Sequence, residues 1–87
     1  MKFSLGRVVI SKNALGVLDD KDVQNALTRH ASGDWGDVCE GDRKENEFSI
    51  EKYLRLFSIY HSRDDTKFWI ITEADRSYTT VLLPSDY

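Results

Sequence analysis

A chain of 87 residues, of which 40% are hydrophobic and 11% aromatic, can fold as one domain with a modest core, and this composition excludes intrinsic disorder. The single cysteine, Cys39, excludes an internal disulfide, and with only two histidines and no closely spaced pair of cysteines we expect no metal site. No apolar run has the length of a membrane span and the first residues do not form a secretory signal, so we expect a cytoplasmic protein without membrane contact.

The formal net charge is −3, and it is unevenly distributed along the chain. Residues 19–51 contain ten Asp and Glu against four Lys and Arg, a net charge of −6. Such a segment repels phosphate groups and attracts basic surfaces, so we expect no direct DNA binding and a protein partner with a basic surface. The alternative interpretation is a solvated helical face that binds no partner.

In chain order, the first half of the sequence predicts one strand followed by helices. The β-branched run over residues 6–11 predicts a short strand, and Ser11 is a suitable N-cap for a short helix over residues 11–18. A second helix is predicted over residues 20–31, because apolar residues and one histidine recur there at helical spacing. These residues are Val23, Ala26, Leu27 and His30.

A third helix is predicted after the glycine-containing loop that ends the second one. Asp42 is followed three residues later by Glu45, a spacing similar to that of a capping box. We therefore expect a short helix over residues 42–49 that carries Phe48 inward.

The remaining sequence predicts β-structure. Three runs of apolar and β-branched residues, over 53–61, 67–74 and 77–84, are separated by polar turns, which is typical of an antiparallel meander. The strands are apolar on both faces, so one face would pack on helices and the other would be unusually apolar for a surface. The sequence predicts a single α+β domain over residues 1–87, in which two or three N-terminal helices pack on an antiparallel three- to four-stranded β-meander.

The loop sequence GDWGD places a tryptophan between two Gly-Asp pairs. It lies at the start of the acidic segment that we predict to bind a partner. One interpretation makes Trp35 an anchor in an interface, and the other makes it a plug between helix and sheet. The residues predicted to bind a partner are Asp34, Trp35, Asp37, Glu40, Asp42 and Glu45.

A catalytic alternative uses the turn between the last two predicted strands. Glu73 would act as an acid or base, Arg76 would stabilise negative charge in a transition state, and His30 would be a further acid–base group. The structural interpretation is a surface ion pair across a hairpin and a hydrogen-bonded core histidine. No glycine-rich phosphate-binding loop is present, so we expect no nucleotide cofactor.

Two strings, HASGDWGD at residues 30–37 and FWIITEADRSYTTVLLPSDY at residues 68–87, resemble a family of short proteins carried on bacterial plasmids, integrative elements and phages. The likeness covers most of residues 23–87. It implies an accessory role for a mobile element without an established reaction, and small acidic proteins in that setting are frequently anti-defence factors, including anti-CRISPR proteins. Members often carry glycine in the first hairpin turn, where this chain has Asp65.

The leading hypothesis is a non-enzymatic anti-defence inhibitor, anti-CRISPR or anti-restriction, that blocks a basic nucleic-acid-binding complex of a bacterial host. The alternative is a small ribonuclease-like toxin of the barnase or RelE general type that uses His30, Glu73 and Arg76, although an acidic chain is poorly suited to binding RNA. The protein would be a monomer or a homodimer, and the apolar sheet face is one possible dimer surface.

Overall fold

The computed structural model describes residues 1–87 and contains three α-helices and one four-stranded sheet. The class is α+β, as predicted. The elements are β1 (Arg7–Ile10), α1 (Lys12–Val17), α2 (Asp20–Ala31), α3 (Glu40–Lys52), β2 (Leu56–His61), β3 (Lys67–Thr72), β4 (Tyr78–Leu82) and a short 3-10 helix over Pro84–Asp86. None of the helices is both long enough and apolar enough to cross a membrane.

The sheet has the strand order β1-β4-β3-β2. Strands β2, β3 and β4 form the predicted antiparallel meander, whereas β1 pairs in parallel with β4. The chain leaves β1 through all three helices and re-enters the sheet at the opposite edge, so the meander ends beside β1. The N-terminal strand therefore extends the sheet and makes it mixed.

The main core lies between α2 and one face of the sheet. Val23, Ala26 and Leu27 of α2 are buried against side chains that alternate along the strands. The strand residues in this core are Tyr60, Phe68, Ile70 and Val81. The predicted bounds of α2 are confirmed, because Asp19 caps its first turn and Ser32 ends it.

The opposite face of the sheet is partly closed by aromatic side chains. The ring of Trp69 lies 5.1 Å from that of Phe57 and 5.8 Å from that of Tyr87, both edge-on. The 3-10 helix brings Tyr87 back over this face. Ile71 and Leu82 are buried under this layer, so the face that was expected to be unusually apolar is largely covered by the chain itself.

Helix α3 differs from its prediction in both length and orientation. It begins after Cys39, whose Sγ accepts from the backbone N–H of Asp42, and it continues to Lys52. Its buried positions are polar, namely Asn46 and Ser49, and Phe48 is 50% exposed. The predicted inward orientation of Phe48 is wrong, because Asn46 and Ser49 occupy the buried side of this helix and Ile50 makes its apolar contact with the core.

The outer edge of β2 is covered by the chain itself. The backbone N–H of Ile59 donates to the carbonyl of Trp35, and the N–H of Asp37 donates to the carbonyl of Ile59. Gly36, at φ 73°, lies between them, where a Cβ atom would stand 2.0 Å from the Ile59 carbonyl oxygen. Next along the edge, the side-chain amide of Asn46 donates to the carbonyl of Phe57 and accepts from its N–H, at 2.7 and 3.0 Å.

The hairpin turn between β2 and β3 contains Asp65, at the position where the family that the sequence resembles often carries glycine. Asp65 has a φ of 67°, so it adopts the left-handed conformation that glycine favours. The turn is closed by backbone hydrogen bonds between Ser62 and Thr66 and between Asp65 and Ser62. The tight turn therefore forms with aspartate in place of glycine.

Candidate functional site

The outward surface of α3, here called the α3 face, combines acidic residues with an exposed aromatic ring. Its acidic and aromatic members are Glu40, Asp42, Glu45, Glu47, Phe48 and Glu51, and Arg43, Lys44 and Lys52 are also exposed on the helix. The helix carries five acidic residues and three basic ones, Arg43, Lys44 and Lys52. Only Glu40 forms an ion pair, with Arg43 at 3.5 Å, so Asp42, Glu45 and Glu51 are free of intramolecular ion pairs.

Phe48 lies within this acidic surface. Glu45 and Glu51 are three residues before and after it, Lys44 and Lys52 are four residues before and after it, and residues at both spacings are neighbours on a helix. Tyr53 and Leu54, which follow the helix, are also exposed. An exposed aromatic ring among unpaired carboxylates has the composition of a protein-binding surface with an apolar anchor.

Polar contacts hold α3 against the rest of the chain at three places. Glu47 accepts from the indole N–H of Trp35 at 2.9 Å near the middle of the helix. Asn46 pairs with the backbone of Phe57 on β2. At the end of the helix, Arg76 donates to the carbonyl of Ser49 at 2.8 Å. These contacts fix the orientation of the helix and leave the α3 face to solvent.

The loop before α3 holds the other residues predicted to bind a partner. Trp35 is 1% exposed and lies against Phe3 and His30, so its ring fills the space between α2 and the sheet. Asp34 accepts from the guanidinium of Arg29 at 2.8 and 3.2 Å, and this pairing lowers the pKa of Asp34. The structure thus places Glu40, Asp42 and Glu45 together on α3 and Trp35 beneath them.

His30, predicted as a possible catalytic residue, is fully buried and hydrogen-bonded through both ring nitrogens. Nδ1 lies 2.5 Å from the hydroxyl of Ser58, and Nε2 lies 2.9 Å from that of Thr72. Thr79 donates to the carbonyl of Leu5 at 2.7 Å and so accepts from Thr72. Thr72 must then accept from His30, which assigns the ring proton to Nε2 and leaves Nδ1 to accept from Ser58.

The surroundings of His30 also hold it in the neutral form. Burial, with a smaller contribution from the charge of Arg76, lowers the pKa of His30 to about 3. The imidazole is therefore uncharged near neutral pH, and neither nitrogen is available to a bound substrate.

Arg76 and Glu73, the other residues of the catalytic alternative, lie at the β3–β4 turn. The guanidinium of Arg76 donates to four backbone carbonyls, those of Ser49, Leu54, Glu73 and Ala74. Burial lowers the pKa of Arg76. The Glu73 carboxylate instead accepts from Arg55 at 3.1 Å. The hydrogen bonds of Arg76 join the end of α3 to the β3–β4 turn. They also occupy the N–H donors that a catalytic arginine would need.

The largest cleft, about 520 Å³, lies between α2 and the β2–β3 turn and was not identified from the sequence. Arg29, His61 and Arg63 line it. Each of these basic side chains pairs with a carboxylate: Arg29 with Asp34, His61 with Asp37 at 2.7 Å, and Arg63 with Asp19 and Asp22. Because these basic side chains are already paired, the cleft offers no unpaired basic group to an anionic ligand.

Sequence reasoning missed Glu47, Phe48 and Glu51 as members of the exposed surface, and it missed Asn46 as the residue that attaches α3 to the sheet. Glu47 and Glu51 could have been found from their charge alone, since both lie in the acidic stretch over residues 19–51. Nothing in the helical periodicity signalled Asn46, because its partner is the backbone of a strand eleven residues away.

Comparisons with known proteins gave no match: no family model, curated protein or solved structure is similar to this chain. The resemblance to proteins of mobile elements therefore stays a prediction.

Proposed function

We propose that this protein is an anti-defence inhibitor, anti-CRISPR or anti-restriction, which acts for a mobile element in the cytoplasm of a bacterial host. Its α3 face would dock on the basic nucleic-acid-binding surface of a host defence complex and block it. The observation that carries the proposal is the exposure of Phe48 between unpaired carboxylates on a firmly held helix.

The charges of the α3 face support a basic protein partner. Asp42, Glu45 and Glu51 have no internal cation, so a basic partner would not have to break an ion pair to engage them. Charge complementarity of this kind accelerates association and fixes orientation. Nucleic acid would be repelled by the same surface, and a basic protein surface attracted to it.

The exposed aromatic ring supplies the part of the interface that charge alone does not. Rim charges contribute little affinity, whereas a buried aromatic anchor commonly dominates it. Phe48, half exposed in the free protein, could be buried completely by a partner. The ribonuclease-like alternative has less support, because His30 and Arg76 use their nitrogens in internal hydrogen bonds.

The test is a pull-down from nuclease-treated lysates of bacteria that carry defence systems, read by quantitative mass spectrometry. The test variant carries Asp42→Asn, Glu45→Gln and Glu51→Gln on α3. A matched control carries Asp20→Asn, Asp65→Asn and Asp75→Asn, which change the net charge equally at exposed positions elsewhere. A third variant, Phe48→Ala, removes the ring.

The proposal expects the unmodified protein and the charge-matched control to retain the same nucleic-acid-binding complex after nuclease treatment. The α3 variant and Phe48→Ala should lose it. Retention of the complex by the α3 variant would contradict the proposed surface. Recovery of RNA alone, lost when His30 is changed, would favour the ribonuclease-like alternative.

A further inference from the structure

The outer edge of β1 is open, in contrast to that of β2. The backbone N–H groups of Arg7 and Ser11 donate to carbonyls of the β4 side, at Ser77 and Val81. Alternate residues of a strand point their backbone groups to opposite sides, so the N–H and C=O groups of Val8 and Ile10 face away from β4. No other segment of the chain hydrogen-bonds to them.

This edge is also apolar. Val8 is 44% exposed and Val9 is 38% exposed. A groove of about 370 Å³ runs along the helix side of the edge and is lined by Leu5, Val8 and Leu27 among others. The strand carries none of the usual protections of an edge, such as a proline, a bulge or a charge at its centre.

We propose that a second copy of this chain adds its own β1 to this edge in antiparallel orientation, so that two sheets join into one of eight strands. Val8 would pair with Ile10 of the second copy, and the reverse pair would form by symmetry. Val9 would lie on the two-fold axis opposite Val9 of the second copy. This register uses the outward backbone groups of both strands in four hydrogen bonds.

The register also keeps the side chains on consistent faces. Val8 and Ile10 both lie on the helix side, where Val8 lines the groove beside α2 and Ile10 packs on the main core. In the joined sheet they would meet each other on that side. Val9, whose neighbour on β4 is Thr80, would meet its counterpart on the opposite face.

Charge complementarity favours a second copy over an unrelated peptide. In this register Arg7 of the second copy lies directly opposite Ser11, whose hydroxyl donates to the carboxylate of Asp86 at 2.5 Å. Hydrogen bonds from Ser11 and then Asn13 lower the pKa of Asp86, so this carboxylate is ionised. Because of the two-fold axis, Arg7 of each copy would lie near Asp86 of the other copy, once at each end of the paired strands.

The size of the contact predicts a weak, reversible dimer. β1 has only four residues, so the paired strands and their flanking side chains bury less than the roughly 1,600 Å² of a standard interface. The acidic α3 faces lie beside β2, at the far edge of each sheet, and do not oppose this association.

The test is disulfide cross-linking in a Cys39→Ser background, which removes the single native thiol and keeps a good N-cap for α3. Val9→Cys places two thiols opposite each other at a non-hydrogen-bonded pair, where Cα atoms lie about 4.5 Å apart, within disulfide range. Val8→Cys is the matched control, because the two copies of residue 8 are offset along the strands and lie too far apart to bridge.

Light scattering as a function of concentration provides a second readout on variants without cysteine substitutions. Val9→Lys would place two ammonium groups opposite each other on the axis and should abolish the dimer. Leu54→Lys makes the same charge change at a residue of similar exposure, 43%, near the other edge, and should preserve it.

The proposal expects cross-linked dimer from Val9→Cys and not from Val8→Cys, and loss of the dimer in Val9→Lys alone. A monomer at all concentrations with no cross-link from either cysteine would overturn it. Cross-linking of Val8→Cys instead, or a dimer that persists in Val9→Lys, would assign the dimer to another register or surface and would also overturn it.

Discussion

The two edge strands of the sheet have opposite surroundings. On β2, the loop over Trp35–Asp37 pairs with Ile59, and the side chain of Asn46 bonds to both backbone groups of Phe57. On β1, the outward backbone groups of Val8 and Ile10 have no partner in the chain. One edge is therefore completed within the chain, whereas the outward backbone groups of the other are left without partners.

This difference shows how a small domain builds two kinds of surface from one sheet. At the covered edge, the segments that hydrogen-bond to β2 also fix the orientation of α3. The α3 face therefore points to solvent. At the open edge, the proposed binding groups are those of the backbone. The two proposed interactions would therefore differ in what recognises a partner, side-chain charge at one edge and main-chain hydrogen bonds at the other.

The largest effect is expected when the cover of β2 is displaced. Gly36→Ala puts a Cβ atom 2.0 Å from the Ile59 carbonyl oxygen and 2.8 Å from the Tyr60 ring, at a positive φ. We expect it to lower the free energy of unfolding by about 4 kcal/mol, as left-handed strain and the steric clash add. Urea titrations followed by tryptophan fluorescence would measure this change.

Gly16→Ala is the control for that substitution. Gly16 lies within α1 and a Cβ atom there meets nothing within 4 Å, so this variant should be more stable by about 0.5–1 kcal/mol. If Gly36→Ala does not lower the free energy of unfolding relative to Gly16→Ala, the close approach of the loop to β2 is not the feature that holds this edge.

Lowering the pH tests the hydrogen-bonded chain that connects the two edges of the sheet. The hydrogen-bonded chain through His30 begins at Ser58 on β2 and ends at the carbonyl of Leu5, just before β1. Since burial lowers the pKa of His30 from 6.5 to about 3, the unfolded chain binds a proton below about pH 6.5 that the folded chain does not. Stability should therefore fall as the pH falls, by up to about 3 kcal/mol between pH 6.5 and 4.5.

The variant His30→Gln isolates this contribution. It should be less stable at neutral pH and should lack the part of the pH dependence that belongs to His30. The carboxylates whose pKa values are lowered in the fold, such as Asp34, act in the same direction but only below about pH 4, because their ordinary value is 3.8. Equal slopes for both proteins above pH 4.5 would show that His30 is protonated in the fold.

A smaller effect is expected from the contact that attaches α3 to the covered edge. Asn46→Ala leaves the N–H and C=O groups of Phe57 without partners in a partly buried position, which should cost about 2 kcal/mol. Faster hydrogen exchange at the amide of Phe57 would locate the loss. Glu45→Ala, at an exposed neighbouring position, should change stability by less than about 0.5 kcal/mol. If Glu45→Ala loses as much stability, Asn46 is not the residue that attaches α3 to β2.

Local signals in the sequence predicted much of the fold. The sequence predicts the helix over residues 20–31 with its bounds, because its apolar residues recur at helical spacing and a glycine-containing loop follows it. Ser11 was predicted as an N-cap and accepts from the N–H of Ala14. The meander was predicted because its strands are β-branched and its turns are short and polar.

The features that were missed depend on contacts distant in sequence. Cysteine is a weak acceptor and gives no clear N-cap signal, so the sequence predicts a start of α3 at Asp42 rather than after Cys39. An apolar residue of a helix is expected to face the core, so the sequence predicts Phe48 inward, whereas Asn46 takes that side by bonding to β2. The candidate site was thus located from charge, and its orientation required the fold.

The most direct test of the proposed function is competition between nucleic acid and this protein for the host complex that it captures. Immobilised protein would be loaded with that complex and then exposed to increasing concentrations of duplex DNA or RNA. Release of the complex as nucleic acid is added, together with no capture by the α3 variant, is the predicted result. A complex that stays bound at saturating nucleic acid would show that the α3 face does not occupy a nucleic-acid-binding surface.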